Sequence, residues 1–202
     1  KNIIINGFIN SKIDFNNDTL IRMIPNYNKI ELLKNNLKGA GKVLSKFNFN
    51  LSNTLEIVDY GIEIESRFKN LEIQFKNKIN TLILNNKISA LKLRDIIFQF
   101  NYKKNVEKNI ATSGKYSLNE GNTFEDFKVE AVLGKRKSDH VIELSLNEFI
   151  NLELLNYTKE EGKKANIKIN LENKDKKFLI KDFAYTEGKS KILLKEIIIN
   201  KE

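Results

Sequence analysis

The chain has 202 residues, a formal net charge of +9, 41% hydrophobic residues, and neither cysteine nor tryptophan. That length holds one domain, or two small ones, with a sizeable core. Without cysteine there are no disulfides or thiolate metal sites, and no run approaches the roughly 18 apolar residues of a membrane-spanning helix.

The first residue is Lys1 and the only methionine is Met23, so residues 1–202 read as one β-rich segment of a larger protein. Asn, Ile and Lys dominate, as codon drift in an AT-rich genome produces, which weakens any functional argument from lysine number. Lys46, Lys69, Lys128, Lys168 and Lys181 alternate with apolar residues, and a period of two puts them on a solvated strand face. A nucleic-acid partner is therefore disfavoured despite the positive charge. The densest basic run, Lys135-Arg136-Lys137, reads as a loop suited to phosphate headgroups.

Along the chain, Ile3, Ile5, Ile9, Ile13 and Phe15 share one parity, which predicts a long strand or a hairpin centred on Gly7. Leu20, Ile24, Tyr27, Ile30, Leu33 and Leu37 then recur every three or four residues. They predict a helical segment over about 19–38, broken at Pro25 and capped by Gly39. From Gly41 the period returns to two, through Val43, Phe47 and Phe49, then Ile62, Ile64 and Phe68, then Leu71, Ile73 and Phe75. Ile96, Phe98, Phe100 and Tyr102 form an aromatic stripe. Phe127 to Leu133, Ile142 to Leu146, Ile167 to Leu171, Phe178 to Tyr185 and a last run from Gly188 complete the strands. Between them, Ser145 with Glu148 resembles a capping box, and Phe149, Leu152 and Leu155 have helical spacing, so a short helix is predicted over about 146–156. The fold class is mainly β, with long antiparallel strands in a curled sheet or a sandwich.

A pattern recurs four times: apolar, basic, Asp/Asn/Glu, apolar, any residue, apolar. It begins at Phe68-Lys69-Asn70, Leu93-Arg94-Asp95, Ile180-Lys181-Asp182 and Leu194-Lys195-Glu196. Two polar residues between apolar ones move the buried set from one parity to the other, which a β-bulge achieves without turning the apolar face to water.

No catalytic machinery is visible. The only histidine, His140, falls in a charged stretch beside Asp139 and reads as a solvated loop residue. Zinc would need more ligands, the pairs Glu63/Glu65 and Glu160/Glu161 carry no glycosidase signature, and Gly39-Ala40-Gly41-Lys42 lacks phosphate-loop spacing. The reading is non-enzymatic, with no cofactor and no metal.

The order of elements resembles the C-terminal region of AsmA-like proteins. The residues that carry it are Gly114-Lys115-Tyr116-Ser117-Leu118, Leu91-Lys92-Leu93-Arg94-Asp95-Ile96, and the stretch from Val141 to Tyr185. Within that stretch a strand leads into the short apolar helix near Phe149–Leu155, then to Ala165-Asn166-Ile167-Lys168-Ile169 and the hydrophobic-Lys-Asp-Phe strand ending at Phe183. One departure is Gly162-Lys163-Lys164, where the family commonly has a glycine pair. The resemblance implies a curled, taco-like β-groove in the envelope of a Gram-negative bacterium. Such a protein projects into the periplasm, is anchored in the inner membrane by a segment outside this chain, and moves phospholipid toward the outer membrane. On that reading the acyl chains meet Phe47, Phe49, Ile64, Ile73, Phe98, Phe100, Val129, Leu144, Ile169, Ile180 and Phe183, while Lys135, Arg136 and Lys137 meet headgroups. The alternative reading is a structural or adhesive β-module of a surface or phage particle, with the same residues closed in a core.

Overall fold

The computed structural model describes residues 2–18, 36–80, 84, 87–119, 121–152, 156–174 and 177–200. These residues contain β1 (Ile3–Phe15), β2 (Asn36–Leu51), β3 (Ile57–Ile79), β4 (Ile88–Lys103), β5 (Lys108–Leu118) and β6 (Glu125–Leu133). They continue with β7 (Lys137–Leu146), β8 (Ile150–Leu152), β9 (Tyr157–Lys159), β10 (Ala165–Lys174), β11 (Lys177–Glu187) and β12 (Ser190–Asn200). Ten strands form one antiparallel sheet in the order β1-β2-β3-β4-β5-β6-β7-β10-β11-β12, and β8 pairs with β9 in a separate ribbon between β7 and β10. Extensive contacts run only between ladder neighbours.

Directly opposed residues in an antiparallel ladder share a face, so the register assigns every side chain to one side. One side begins with Ile5 opposite Phe49, passes through Phe49–Tyr60, Ile64–Phe100 and Thr112–Val129, and continues through Val129–Ile142, Ile142–Ile169 and Ile169–Phe183 to Phe183–Leu194. This is the apolar face. The other carries Lys46 opposite Glu63, Lys128 opposite Glu143, and Glu143 opposite Lys168. Every fully buried apolar side chain of the large sheet, from Phe15 and Ile73 to Ile167 and Tyr185, lies on the apolar face.

Three of the four copies of the recurrent pattern coincide with register shifts, and at the fourth, Leu194-Lys195-Glu196, one residue is skipped in both strands while the register is kept. Between β2 and β3, Ala40 pairs with Asn70 but Gly41 pairs with Phe68, leaving Lys69 extra. Between β3 and β4 the ladder skips both Lys69 and Asp95, and it shifts again between β4 and β5 around Asp95. Between β11 and β12 it passes from Asp182–Lys195 to Ile180–Ile197, skipping Lys181 and Glu196. Asp95 and Glu196 have φ of 50° and 57°, the left-handed backbone of a bulge. The bulges move β3 from even to odd apolar positions, and β11 from Ile180 to Phe183, while the same face stays apolar.

Glycines make room for rings on this face. Gly7 is opposite Phe47, Gly39 opposite Phe15 and Gly41 opposite Phe68. A Cβ on Gly7 would lie 2.1 Å from the far end of the Phe47 ring, and on Gly41 2.5 Å from Phe68 Cδ1 and 2.6 Å from the Arg67 carbonyl oxygen.

Two helical expectations are corrected. The segment expected as a helix over 19–38 lies outside the described residues for 19–35, but Asn36, Leu37 and Lys38 belong to β2. There Leu37 is buried opposite Ile73, and Gly39 is a strand residue beneath Phe15. Leu37 fits the helical stripe, yet it equally continues the odd parity of Gly39, Gly41 and Val43. The helix expected over 146–156 is absent from its described part: Leu146 ends β7, and Ile150, Asn151 and Leu152 pair with Lys159, Thr158 and Tyr157. Ser145 Oγ donates to Asn166 Oδ1 at 3.0 Å and caps nothing. Residues 153–155 lie outside the described set.

Gly41→Ala should destabilise the fold by about 1–3 kcal/mol, because a backbone carbonyl beside the new methyl cannot move aside. Gly7→Ala should cost less, since the Phe47 ring can rotate away. Urea denaturation of the two variants measures the difference.

Candidate functional site

All eleven residues that sequence reasoning assigned to a lipid groove lie on the apolar face. Phe47, Phe49, Ile64 and Ile73 come from β2 and β3, Phe98 and Phe100 from β4, Val129 and Leu144 from β6 and β7, and Ile169, Ile180 and Phe183 from β10 and β11. All but the buried Ile73 are half-buried. The face therefore presents mostly hydrocarbon in these seven strands, with water excluded only in part.

The face has an aromatic region and a covered region. Phe47 and Phe49 have ring centroids 5.6 Å apart, Phe49 stacks on Tyr60 at 6.4 Å, and Tyr60 meets Tyr102 edge-on at 5.5 Å. The cross-strand pairs Phe49–Tyr60 and Tyr60–Tyr102 each stabilise the ladder by roughly 0.2–1 kcal/mol. The Tyr60 and Tyr102 hydroxyls lie 3.2 Å apart, which holds the Tyr60 phenol above its ordinary value. At the other end, β8–β9 forms a flap over the face. Ile150 is fully buried against Tyr116, Leu146, Ala165, Ile167 and Tyr185. Phe15, Leu37 and Ile73 form a second buried cluster across β1–β3, and Leu91 packs against both.

The flap is fastened by polar groups that sequence reasoning missed. Lys159, 1% exposed, donates from Nζ to the carbonyl oxygens of Asn147 (2.9 Å), Glu148 (2.6 Å) and Glu160 (3.0 Å). Burial pushes its ammonium below the ordinary lysine value. The Tyr157 and Tyr185 hydroxyls both donate to Glu187, the latter at 2.9 Å, and Tyr116 donates to the Ser145 carbonyl at 2.6 Å. Burial raises all three phenols, with the Glu187 hydrogen bonds adding to the rise at Tyr157 and Tyr185. A buried lysine gives no sequence signal because its partners are backbone carbonyls, one of them twelve residues away.

The other named residues are also placed. Lys135 and Arg136 project from the tight β6–β7 turn, closed by Gly134 N–H to the Lys137 carbonyl at 2.8 Å. Lys137, expected in the loop with them, is the first residue of β7, paired with Asp139 at 3.0 Å and Glu172 at 3.2 Å. His140 is corrected from loop to strand: it stands on the apolar face between Ala131 and Leu171, with Nε2 2.9 Å from Ser138 Oγ. Among the described residues there is no cluster of three or more His, Cys, Asp or Glu able to hold a metal, and no helix long and apolar enough to cross a membrane.

The two β3 and β11 bulge lysines differ. Lys181 bridges Asp139 at 2.9 Å and Glu172 at 2.7 Å, whereas Lys69 is exposed beside Asp95 without an ion pair among the described residues. The arrangement can bury hydrocarbon on one side while ion pairs on the other keep the sheet in water. No protein-family model, curated protein or solved structure matches the chain.

Lys181, with Lys137, holds the Asp139 and Glu172 carboxyls below the usual range. Their contribution to stability is fully present above the pKa of free carboxylates, about 4, and is lost as pH falls through the lowered values. Lys181→Met should therefore lose less stability than the parent when urea midpoints at neutral pH are compared with those below pH 4.

Proposed function

We propose that this chain is a non-enzymatic lipid-handling segment of an AsmA-like envelope protein. It shields or conducts phospholipid acyl chains along the apolar sheet face between inner and outer membrane. The observation that carries the reading is the register: eleven apolar positions, chosen from sequence, fall on one face of the ten-stranded sheet, in seven of its strands, and ion pairs such as Lys168–Glu143 and Lys38–Glu72 occupy the other. The sheet curls so that this face is concave. In support, bulges at Lys69/Asp95 and Lys181/Glu196 sharpen local twist, and the buried side chains of the sheet's two hydrophobic clusters come from that face.

An acyl chain laid on such a surface gains about 0.8 kcal/mol per methylene removed from water, without any directional contact. Low selectivity and many equivalent positions suit conduction. The flap over Tyr185 and Ile167 closes one end of the face and leaves the half-buried positions, the aromatic region from Phe47 to Tyr102 among them, for acyl chains. The setting is the periplasm, with the membrane anchor in a part of the protein outside this chain.

The test is capture of lipid by the purified chain. Mass spectrometry should find co-purifying phospholipid, and a photo-crosslinking residue at Phe98 or Ile169 should label an acyl chain, while one at Gln99 or Lys168 on the opposite face should not. A lipid-free protein with no label at Phe98 or Ile169 would overturn the proposal in favour of a structural module.

A further inference from the structure

We propose that the end of the sheet remote from the flap is a bilayer-docking tip, whose apolar turn residues enter the interfacial layer of an anionic membrane. In this up-and-down topology the turns 52–56, 104–107 and 134–136 all emerge at one end, and the flap between β7 and β10 covers the other. The two ends differ in what they expose. The large buried clusters lie toward the flap, whereas the turn end displays Leu55 at 67%, Val106 at 56%, Ile57 at 52% and Val58 at 48% exposure.

Leu55 is the most informative of these. Its φ is 62°, a left-handed position that turns ordinarily give to glycine or asparagine. A leucine there is unfavourable twice, through backbone strain and through apolar surface in water. Neither cost is offset by burial among the described residues, because the side chain stays 67% exposed. The neighbouring turn gives its left-handed position to asparagine, Asn105 with φ 62°, and puts its apolar residue next to it, at Val106.

The tip is braced rather than loose. Leu55 N–H donates to the Ser52 carbonyl at 3.0 Å, Ser52 N–H to the Glu56 carbonyl at 2.9 Å, and Thr54 and Glu56 N–H both to Ser52 Oγ at 3.2 Å. Lys104 reaches across from the adjacent turn to the carbonyls of Ile57 (3.3 Å) and Val58 (2.7 Å), which ties the two turns into one platform. A rigid apolar apex loses little entropy when it inserts.

Charge selects the occupant. Lys103, Lys104, Lys108, Lys135 and Arg136 stand at this end against Glu56, Asp59 and Glu107, while Lys137 is held by Asp139 and Glu172. Apolar apices with a surplus of cations behind them match the depth profile of an anionic bilayer, hydrocarbon below and phosphate above. Leu55 and Val106 lie in the turns, outside the ladder positions of the apolar face, so docking through them and lipid capture are read out separately.

The experiment is flotation of the full chain with phosphatidylcholine vesicles, with and without phosphatidylglycerol. The parent should float only with the anionic vesicles. Leu55→Asn should weaken binding roughly tenfold, the loss expected when one leucine no longer inserts. Because asparagine accepts the left-handed backbone, the same variant should melt no lower than the parent, and its acyl-chain capture should be unchanged. Removing both Lys135 and Arg136 should weaken binding further and flatten its salt dependence. Equal flotation of parent and Leu55→Asn, or no flotation with anionic vesicles, would overturn the proposal. So would concentration-dependent self-association that Leu55→Asn abolishes, which would make the tip a contact between copies. A parent that floats but captures no lipid would sink the groove reading and leave the tip standing.

Discussion

Everything in this molecule depends on the ladder register holding one parity of side chains on one face across ten strands. A slip of a single residue would turn Phe98 and Phe100 to water and bring Gln99 and Asn101 to the apolar side. Uninterrupted strands as long as β3, with 23 residues, accumulate twist that neighbouring strands must follow. The bulges at Lys69 and Asp95, and at Lys181 and Glu196, insert one residue in each of two adjacent strands. Paired in this way they change parity in both strands together, so the apolar face stays continuous while the sheet is free to bend.

The two faces solve different problems. On the polar side, Lys137, Asp139, Glu172 and Lys181 form a compact network across three strands, and Lys168–Glu143 and Lys38–Glu72 add cross-strand pairs. Such exposed pairs stabilise little singly, but they keep a wide sheet soluble and in register. On the apolar side the phenylalanines facing Gly7, Gly39 and Gly41 lie over bare backbone, giving ring surface without crowding. The flap removes part of this surface from water with Ile150 and locks itself through Lys159 and the Tyr157–Tyr185–Glu187 group. What stays half-exposed, the aromatic region included, is the surface that the proposed lipid-handling role would use.

Most of the sheet was legible because period two is a local signal. The odd parity of Ile3 to Phe15, the aromatic stripe to Tyr102 and the four polar steps translated directly into strands, a face and bulges. The flap was not legible, because the spacing of Phe149, Leu152 and Leu155 suits a helix as well as a ribbon, and the choice is made by Ile150 packing beneath Tyr185 and Ala165. Lys159 and Glu187 escaped notice for the same reason: their partners are set by tertiary approach. His140 was misplaced because a charged neighbourhood in sequence, with Asp139 and Lys137, says nothing about which face a strand residue takes. Leu55 gave no signal at all, since only the backbone conformation marks it as unusual.

The central claim is that one face, with its parity switched at the bulge, is the surface that meets acyl chains. The chain has no cysteine, so nitroxide labels can be placed singly along β4. On addition of phospholipid, labels at Leu91, Leu93, Phe98 and Phe100 should become immobilised and oxygen-accessible, while those at Lys92, Arg94, Ile97 and Gln99 should not change. An alternation that ran unbroken through Asp95, or a response equal on both faces, would contradict the account.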